Sequence, residues 1–327
     1  MLSTRHLVTA IMARATIAIG ISSGQAEEGR FPSRPIRIVV PFAAGGGVDT
    51  LARLMAEKMQ AKLGVPLFVE NRAGANGTIG GLNVLQSAPD GYTILFSSNT
   101  HTMAKLAMAN APYDPLADFT PIARVGEAPL LVVISPKLPQ TTLAQVAAAA
   151  RAEPDRWTAG TPALGSPSHI ATLSFNHLSQ GDITVMPYRG TAPALNDVAG
   201  GHIQMLIDAM VVLLPMAKSG GVKGIAITAS KRSSLAPDIP TAAQSGVPGL
   251  EVLSWYGVWG PKGIEAHIVA SLNAAAAAAV RELATDGRLA ELGIEPTYDS
   301  PEEFRTLSAS DVQRNGELLK SANFKPQ

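Results

Sequence analysis

The sequence VVPFAAGGGVD at residues 39–49 decides the fold class of this chain. It joins a β-branched run, Ile36–Val40, to apolar residues that recur at helical spacing from Leu51 to Leu63. A strand, a glycine-rich loop and a helix, in that order, form the repeating unit of α/β folds with parallel strands. We therefore predict an α/β chain whose first βα loop is a candidate binding loop.

The same unit recurs along the chain. A predicted strand at 65–70 leads into the loop NRAGANG at 71–77 and then into a helix at 78–87. Further strands are predicted at 92–98, 130–135, 157–160, 203–208, 222–228 and 252–260, and further helices at 143–151, 167–178, 193–199, 266–284 and from about 301. Ser300 is placed to cap the last of these helices.

Composition limits the classes of protein to consider. The chain has 327 residues, 46% hydrophobic and 16% charged, which suits two domains with sizeable cores. Lysine plus arginine equal aspartate plus glutamate at 26 each, so no basic face for nucleic acid is indicated. The absence of cysteine excludes disulfides, thiol nucleophiles and zinc–thiolate sites.

The first 26 residues have the pattern of a secretory signal peptide. Arg5 and Arg14 precede or interrupt a short apolar run at 15–21, and Gly24-Gln25-Ala26 is a small-residue cleavage site. An amphipathic N-terminal tail is the alternative. Beyond this segment, no apolar run approaches the roughly 20 residues of a membrane span. We therefore expect an exported protein that acts in the periplasm.

Three loops are candidate binding elements, because helix N-termini at the ends of parallel strands point amide N–H groups into a crevice. Gly45–Gly47 and Gly74–Gly77 follow the first two strands, and glycine lets the backbone come close to a ligand. The third loop is Gly165–His169, where Ser166 is a good N-cap. The alternative is that these residues only make tight turns and caps.

Single side chains add weaker candidates. Arg72 and Arg189 are possible cations for an anionic ligand, and Asp208 ends an apolar strand where a carboxylate could accept from a ligand amine or hydroxyl. A solvated or structural role is the alternative for each. Trp255 and Trp259 belong either to the crevice or to the core.

Catalytic motifs are scarce. The only nucleophile-elbow spacing, GISSG at 20–24, lies in the predicted signal peptide, and neither a Walker A sequence nor HExxH occurs. One rival reading is a dinucleotide site, since GGGVDT at 45–50 approaches G-x-G-x-x-G and Glu70 ends the next strand. Thr50 occupies the third glycine position, where close helix–strand packing needs glycine.

Taken together, these motifs resemble the Bug family of periplasmic receptors, the solute-binding components of tripartite tricarboxylate transporters (TTT). The resemblance runs from about residue 31 to the C-terminus. The matching segments are PSRPI (32–36), VPFAAGGGVD (40–49), ENRAGANGTIG (70–80), PDGYT (89–93), PYDP (112–115), GSPSH (165–169), PYRGTAPAL (187–195) and PDIPT (237–241).

The resemblance implies a type II-like, two-lobed periplasmic-binding-protein fold with two mostly parallel sheets and a hinge. Lobe 1 would comprise residues 27–128 and 252–327, lobe 2 residues 129–251, with hinge crossings near 126–130 and 249–254. The implied substrate-binding residues are Phe42, Ala44, Gly45, Gly46, Asp49, Gly74, Ala75, Asn76, Gly77, Ser98, Thr161, Ser166, Ser168, His169, Gly190, Thr191 and Asp208.

The implied function is capture of a small organic carboxylate by lobe closure and its delivery to membrane subunits of a TTT-type transporter. We expect a monomer without catalytic activity, cofactor or metal. An NAD(P)-binding oxidoreductase and a ligand-sensing receptor for a signalling partner remain the alternatives. Ala44 stands where the family commonly has proline, and Ala104-Lys105 replaces a frequent Asn-Pro, so the resemblance does not carry the identity of the ligand.

Overall fold

The computed structural model describes residues 31–327, so the predicted signal peptide lies outside the described residues. The strands are β1 Ile36–Val40, β2 Leu67–Asn71, β3 Thr93–Ser98, β4 Phe119–Ile134, β5 Thr158–Thr161, β6 Thr184–Pro187, β7 Met205–Ala209, β8 Lys223–Ile227, β9 Leu253–Pro261 and β10 Glu295–Pro296. The helices are α1 Gly47–Leu63, α2 Thr78–Leu85, α3 Ala104–Ala107, α4 Leu143–Ala152, α5 Pro167–Ser179, α6 Thr191–Gly200, α7 Met210–Lys218, α8 Ala266–Thr285, α9 Arg288–Glu291 and α10 Pro301–Ser321.

Lobe 1 is built around β1, which pairs in parallel with β2 on one side and β3 on the other. Strand β9 returns from the C-terminal third of the chain and runs antiparallel between β3 and β4. Helices α1 and α8 pack their apolar faces on this sheet, with Leu51, Met55 and Leu272 fully buried. Gly64 adopts the left-handed conformation and ends α1 where the sequence predicted.

Strand β4 connects the two lobes. Its residues 119–129 pair with β9 of lobe 1, and its residues 130–134 pair with β7 and β8 of lobe 2. One sheet therefore continues through both lobes in the order β2-β1-β3-β9-β4-β7-β5-β6. The sequence predicted only the second half of β4, because Pro121 and Gly126 interrupt the apolar pattern of the first half.

The α/β two-lobed fold is confirmed, but the prediction of mostly parallel sheets is wrong. Parallel pairing is restricted to β1 with β2 and β3, and to β5 with β6 and β7. All pairs that involve β4 or β9 are antiparallel. β4 and β9 run in opposite directions because the chain leaves lobe 1 along β4 and returns to it along β9. The predicted hinge crossings coincide with the change of partner along β4 and with the start of β9. The lobe boundaries themselves stay a prediction.

Lobe 2 buries apolar residues on both faces of its sheet. Leu130, Val132 and Ile134 face α4 and α5, while Leu131 and Val133 face α6 and α7. This alternation follows the period of two of a strand whose side chains point to opposite faces. Because helices cover both faces of this sheet, the predicted strands of this lobe are continuously apolar in sequence.

Helix α8 is, within residues 31–327, long and apolar enough to cross a membrane by length and composition. The sequence did not indicate this, because its apolar character comes largely from alanine. Its residues Leu272, Ala276 and Leu283 are fully buried against the sheet of lobe 1. The helix is therefore explained as a core helix.

Phe304 of α10 tests the packing that holds the C-terminal part of the chain on lobe 1. It is 0% exposed and lies against Trp255 and Trp259 at ring distances of 5.5 and 5.0 Å. Phe304→Ala should lower the free energy of unfolding by about 3–5 kcal/mol in urea denaturation. Phe68→Ala, at a side chain that is 49% exposed, is the control and should change it by less than about 1 kcal/mol. Equal losses would contradict this assignment of the core.

Candidate functional site

A cavity of about 70 Å³ lies where the two lobes meet. The first residues of α1, α5 and α6 line it, together with Ala209, which directly precedes α7. Four helix N-termini therefore converge on one space, and each presents free amide N–H groups there. The lining residues are Phe42, Ala43, Ala44, Gly46, Gly47, Val48, Ser98, Thr100, Pro162, Ser166, Pro167, Gly190, Thr191, Ala192, Pro193, Asp208, Ala209, Ser254 and Tyr256.

The first glycine loop forms the lobe 1 wall of the cavity, as the sequence predicted. A Cβ atom on Gly47 would lie 3.2 Å from the Cβ of Ala209 and 3.5 Å from the hydroxyl of Tyr256, so the backbones of the two lobes approach closely here. Gly46 is the N-cap of α1 and has no side chain to cap the helix. The amides at this end of α1 therefore stay available to a ligand.

Asp49, which was predicted to contact the ligand, fixes this loop from outside the cavity and does not line it. Its carboxylate accepts from the Gly45 amide at 2.9 Å, from Asn71 Nδ2 at 2.8 Å and from Arg53 Nε at 3.1 Å. Burial acts to raise the pKa of Asp49, but the hydrogen bonds from Arg53, Gly45 and Asn71 outweigh it and hold the pKa below its ordinary value. The carboxylate is thus a structural anion, and the amide of Gly45 is already used.

On the lobe 2 wall, Ser166 caps α5 by accepting from the amide of His169 at 3.2 Å. Its hydroxyl also lies 2.9 Å from that of Thr161. Thr161 is fully buried and donates to the carbonyl of Ala163, so it supports Ser166 from outside the cavity lining. Ser166 is therefore the predicted cap and also lines the cavity, while its contact with a ligand stays a prediction.

Asp208 and Thr191 form the opposite part of this wall. Thr191 Oγ1 donates to Asp208 Oδ2 at 2.6 Å, and Gly190 precedes Thr191 as the N-cap of α6. Burial raises the pKa of Asp208 to about 6, although the hydrogen bonds from Thr191 and the Ala209 amide act to lower it. Asp208 is the one aspartate or glutamate among the residues that line this cavity.

The floor of the cavity contains polar residues that the sequence analysis largely missed. Ser98 ends β3 and its hydroxyl lies 2.9 Å from that of Thr100, and both are buried. Ser254 and Tyr256 come from β9. Ser98 alone was predicted. The polar run SNTHT at 98–102, directly after a buried strand, is the signal that could have found Thr100.

The second glycine loop, predicted to share one wall with the first, lines a neighbouring groove. Gly74, Ala75, Asn76 and Gly77 face Pro187–Arg189 of lobe 2 across this groove, which borders the cavity at Phe42 and Pro162. Asn76 Oδ1 accepts from the amide of Leu164 at 3.2 Å, a hydrogen bond between the lobes. The loop thus lies beside the cavity and contacts the other lobe.

Ser168 and His169 are fully buried behind the cavity, and neither lines it. His169 Nδ1 accepts from the Gly165 amide at 3.0 Å, and its ring packs edge-on against Phe324 near the C-terminus. Burial lowers the pKa of His169 to about 4, so the imidazole is neutral at pH 7. The resemblance suggested a ligand contact for both residues, but their place in this structure is the first turn of α5.

The remaining sequence candidates lie elsewhere. Arg72 pairs with Glu70 at 2.6 Å, and Glu70 also pairs with Arg37, so the acid of the dinucleotide reading is neutralised by two arginines. Arg189 lines the neighbouring groove. Trp255 lines a rear cleft together with Asp311 and Arg314, and Trp259 is packed in the core.

No lysine, arginine or histidine is among the residues that line the cavity. Within residues 31–327, no group of three or more histidine, aspartate or glutamate side chains has a geometry that would hold a metal ion. A small anion in this cavity would therefore depend on backbone amides and hydroxyl groups, which suits recognition by hydrogen bonds and helix dipoles. The site has donors for a carboxylate and one acidic acceptor.

The buried imidazole of His169 predicts a pH dependence of stability. Its ordinary pKa of 6.5 falls to about 4 in the folded state, so the unfolded chain binds a proton in this interval and the folded chain does not. The stabilisation is complete above pH 6.5 and is lost as the pH falls towards 4. His169→Asn, whose Oδ1 can replace Nδ1 as the acceptor for Gly165, should reduce the loss of unfolding free energy between pH 7 and 4.5 by about 2–3 kcal/mol.

Urea denaturation at the two pH values measures this difference. His267→Asn is the control, because His267 is exposed, and it should leave the slope unchanged. The same pH slope in His169→Asn and in the unmodified protein would contradict the assignment.

Comparison with known proteins identifies similar chains. The model of the tripartite tricarboxylate transporter family receptor matches residues 51–324. The structure of the periplasmic binding protein BugD is 33% identical, with a TM-score of 0.85, and the match covers 91% of this chain and all of that one. Rpa4515 of R. palustris, solved with adipate, is 33% identical with a TM-score of 0.87 and covers 91% of this chain and all of its own. MatC of Rhodopseudomonas palustris, solved with bound malate, is 35% identical with a TM-score of 0.83 and covers 88% of this chain and all of its own.

Proposed function

The chain belongs to the tripartite tricarboxylate transporter receptor family, as its motifs predicted, and on that premise we propose that it captures a small carboxylate between its lobes. The observation that carries the proposal is the convergence of four helix N-termini on one cavity whose lining lacks any cationic side chain. Amide groups of this kind stabilise a carboxylate without a basic residue. Relatives solved with adipate and malate support the ligand class.

Lobe closure is part of the proposed mechanism. Each wall of the cavity comes from a different lobe, so a ligand would contact both at once and favour the closed arrangement. Contacts such as Asn76 with Leu164 would then add to the stability of the closed form. Exclusion of water strengthens each hydrogen bond to the anion, because the local dielectric constant falls.

Location and delivery follow from the family. We propose that the mature protein works in the periplasm, with residues 1–26 as its signal peptide, and delivers its ligand to the membrane subunits of a TTT-type transporter. BugD, named as a periplasmic binding protein, supports the location. We propose binding without chemical conversion, since the matching family is one of receptors and BugD is a periplasmic binding protein.

A screen of ligands against the mature protein tests this function. Thermal shift should be measured with mono-, di- and tricarboxylates, amino acids, nicotinate and NAD(P), because a ligand of the folded state raises the melting temperature. We expect a shift with at least one small carboxylate and none with NAD(P). A shift with NAD(P) and none with any carboxylate would favour the oxidoreductase and reject the receptor.

Substitution of Gly47 tests the position of the site. Valine fits the first turn of a helix, but its side chain would extend from a point 3.2 Å from Ala209 and fill the space between the lobes. Gly47→Val should weaken binding of the ligand found in the screen at least about 10-fold by calorimetry. The unliganded protein should keep its melting temperature, since the clash is removed when the lobes separate.

Thr50→Val serves as the matched control. Thr50 lies one turn along α1 beside Arg53 and Glu57, outside the cavity. The Thr50→Val variant should bind the ligand with unchanged affinity. Normal affinity in Gly47→Val would place the ligand elsewhere.

A further inference from the structure

Asp208 is the one ionisable acid on the cavity wall, and its surroundings constrain what can bind beside it. The groups that face its side chain are Thr191 from α6, the Ala209 amide at the start of α7 and the phenol of Tyr256 from β9. Burial raises the pKa of Tyr256 to about 12, so the phenol is neutral. No positive charge on the cavity wall compensates the carboxylate.

Asp208 accepts hydrogen bonds at the N-termini of two helices. Thr191, the first residue of α6, donates to Oδ2 at 2.6 Å, and the amide of Ala209 donates at the entrance to α7. A carboxylate at a helix N-terminus offsets the positive end of the dipole. Asp208 therefore already acts as the anion for α6 and α7. The N-terminus of α1 has Asp49 in its first turn, outside the cavity lining, whereas the first turn of α5 contains no acidic residue.

Two parts of the lining consequently favour opposite groups. The N-terminus of α5 offers amides and the hydroxyl of Ser166, which suit an ionised carboxylate. Asp208 offers a buried acceptor with a negative charge, which suits a hydrogen-bond donor and repels a second anion. Burial raises the pKa of Asp208 to about 6, so the group is mainly ionised at pH 7 and a second carboxylate beside it would require a proton.

We propose that this site selects a small carboxylate whose other end carries a hydrogen-bond donor, such as an amide N–H, an ammonium or a hydroxyl group, and that Asp208 sets this selectivity. The inference rests on the proposed function of the cavity and names the class of ligand within it. An unsubstituted dicarboxylate binds more weakly, because it meets Asp208 with a second negative charge and must take up a proton to do so.

Matched pairs of ligands test this inference directly. The pairs are malonate, succinate, glutarate and adipate, each with its half-amide, in which one carboxylate is replaced by a neutral carboxamide of nearly the same shape. Calorimetry at pH 7 gives the ratio of the Kd of the dicarboxylate to that of its half-amide. For the pair of best-fitting length, we expect a ratio of at least about 10 in the unmodified protein.

Asp208→Asn removes the charge and keeps a side chain that can hydrogen-bond to Thr191. The ratio should fall at least about 10-fold in this variant. Asp311→Asn is the matched control, because Asp311 is a carboxylate of similar burial that lines the rear cleft and not the cavity. The control should keep the ratio of the unmodified protein. A ratio that changes less than 10-fold in Asp208→Asn, or that changes equally in both variants, would overturn the inference.

Proton uptake provides a second readout that does not depend on the stability of any variant. Titration of the unmodified protein with the dicarboxylate, in two pH 7 buffers of different ionisation enthalpy, should reveal uptake of about one proton per ligand. Binding of the dicarboxylate more tightly than its half-amide and without proton uptake would overturn the inference while leaving the receptor function intact. Absence of binding by all eight compounds and by the other carboxylates of the screen would instead reject the proposed function, and the selectivity with it.

Discussion

The antiparallel pairing of β4 with β9 is the constraint on which the rest of the structure depends. Over residues 119–129, β4 is fixed to β9 in lobe 1, and over residues 130–134 it is fixed to β7 and β8 in lobe 2. Asp208 lies in β7 and pairs with Leu131, while Ser254 and Tyr256 lie in β9. The same strand ladder that joins the lobes therefore also places the floor and one wall of the cavity. A shift of one residue in this register would turn these side chains to the opposite face of the sheet.

The positive potential in the cavity comes from helix ends and not from cationic side chains. Lysine and arginine are absent from its lining, so attraction for an anion comes from amide dipoles that the fold fixes before any ligand arrives. Such preorganised donors need little rearrangement when the ligand binds, which lowers the entropic cost of recognition. Asp49 contributes indirectly, because it accepts the Gly45 amide and fixes the loop that precedes α1.

The sequence predicted most of the elements because their local signals agree with the tertiary structure. β1 and the start of α8 were predicted at their observed residues, and Gly64 and Ser300 end and begin helices as expected. The first half of β4 was not predicted, since Pro121 and Gly126 interrupt its apolar pattern. Helix α7 was also not predicted, because its short apolar sequence fits a buried strand equally well.

The parts of the site that depend on backbone conformation were predictable from the sequence. The parts that depend on three-dimensional packing were less so. Glycine and serine at helix starts pointed to Gly46 and Ser166, and the resemblance pointed to Gly190; all three line the cavity. No local pattern distinguishes Ser166, which reaches the cavity, from Ser168, which is buried behind it two residues later. That difference depends on the direction in which the first turn of α5 faces, and the packing of α5 against the lobe 2 sheet, α10 and Phe324 fixes that direction. Backbone motifs thus point to a candidate site, whereas the side chains that complete it depend on contacts between distant parts of the chain.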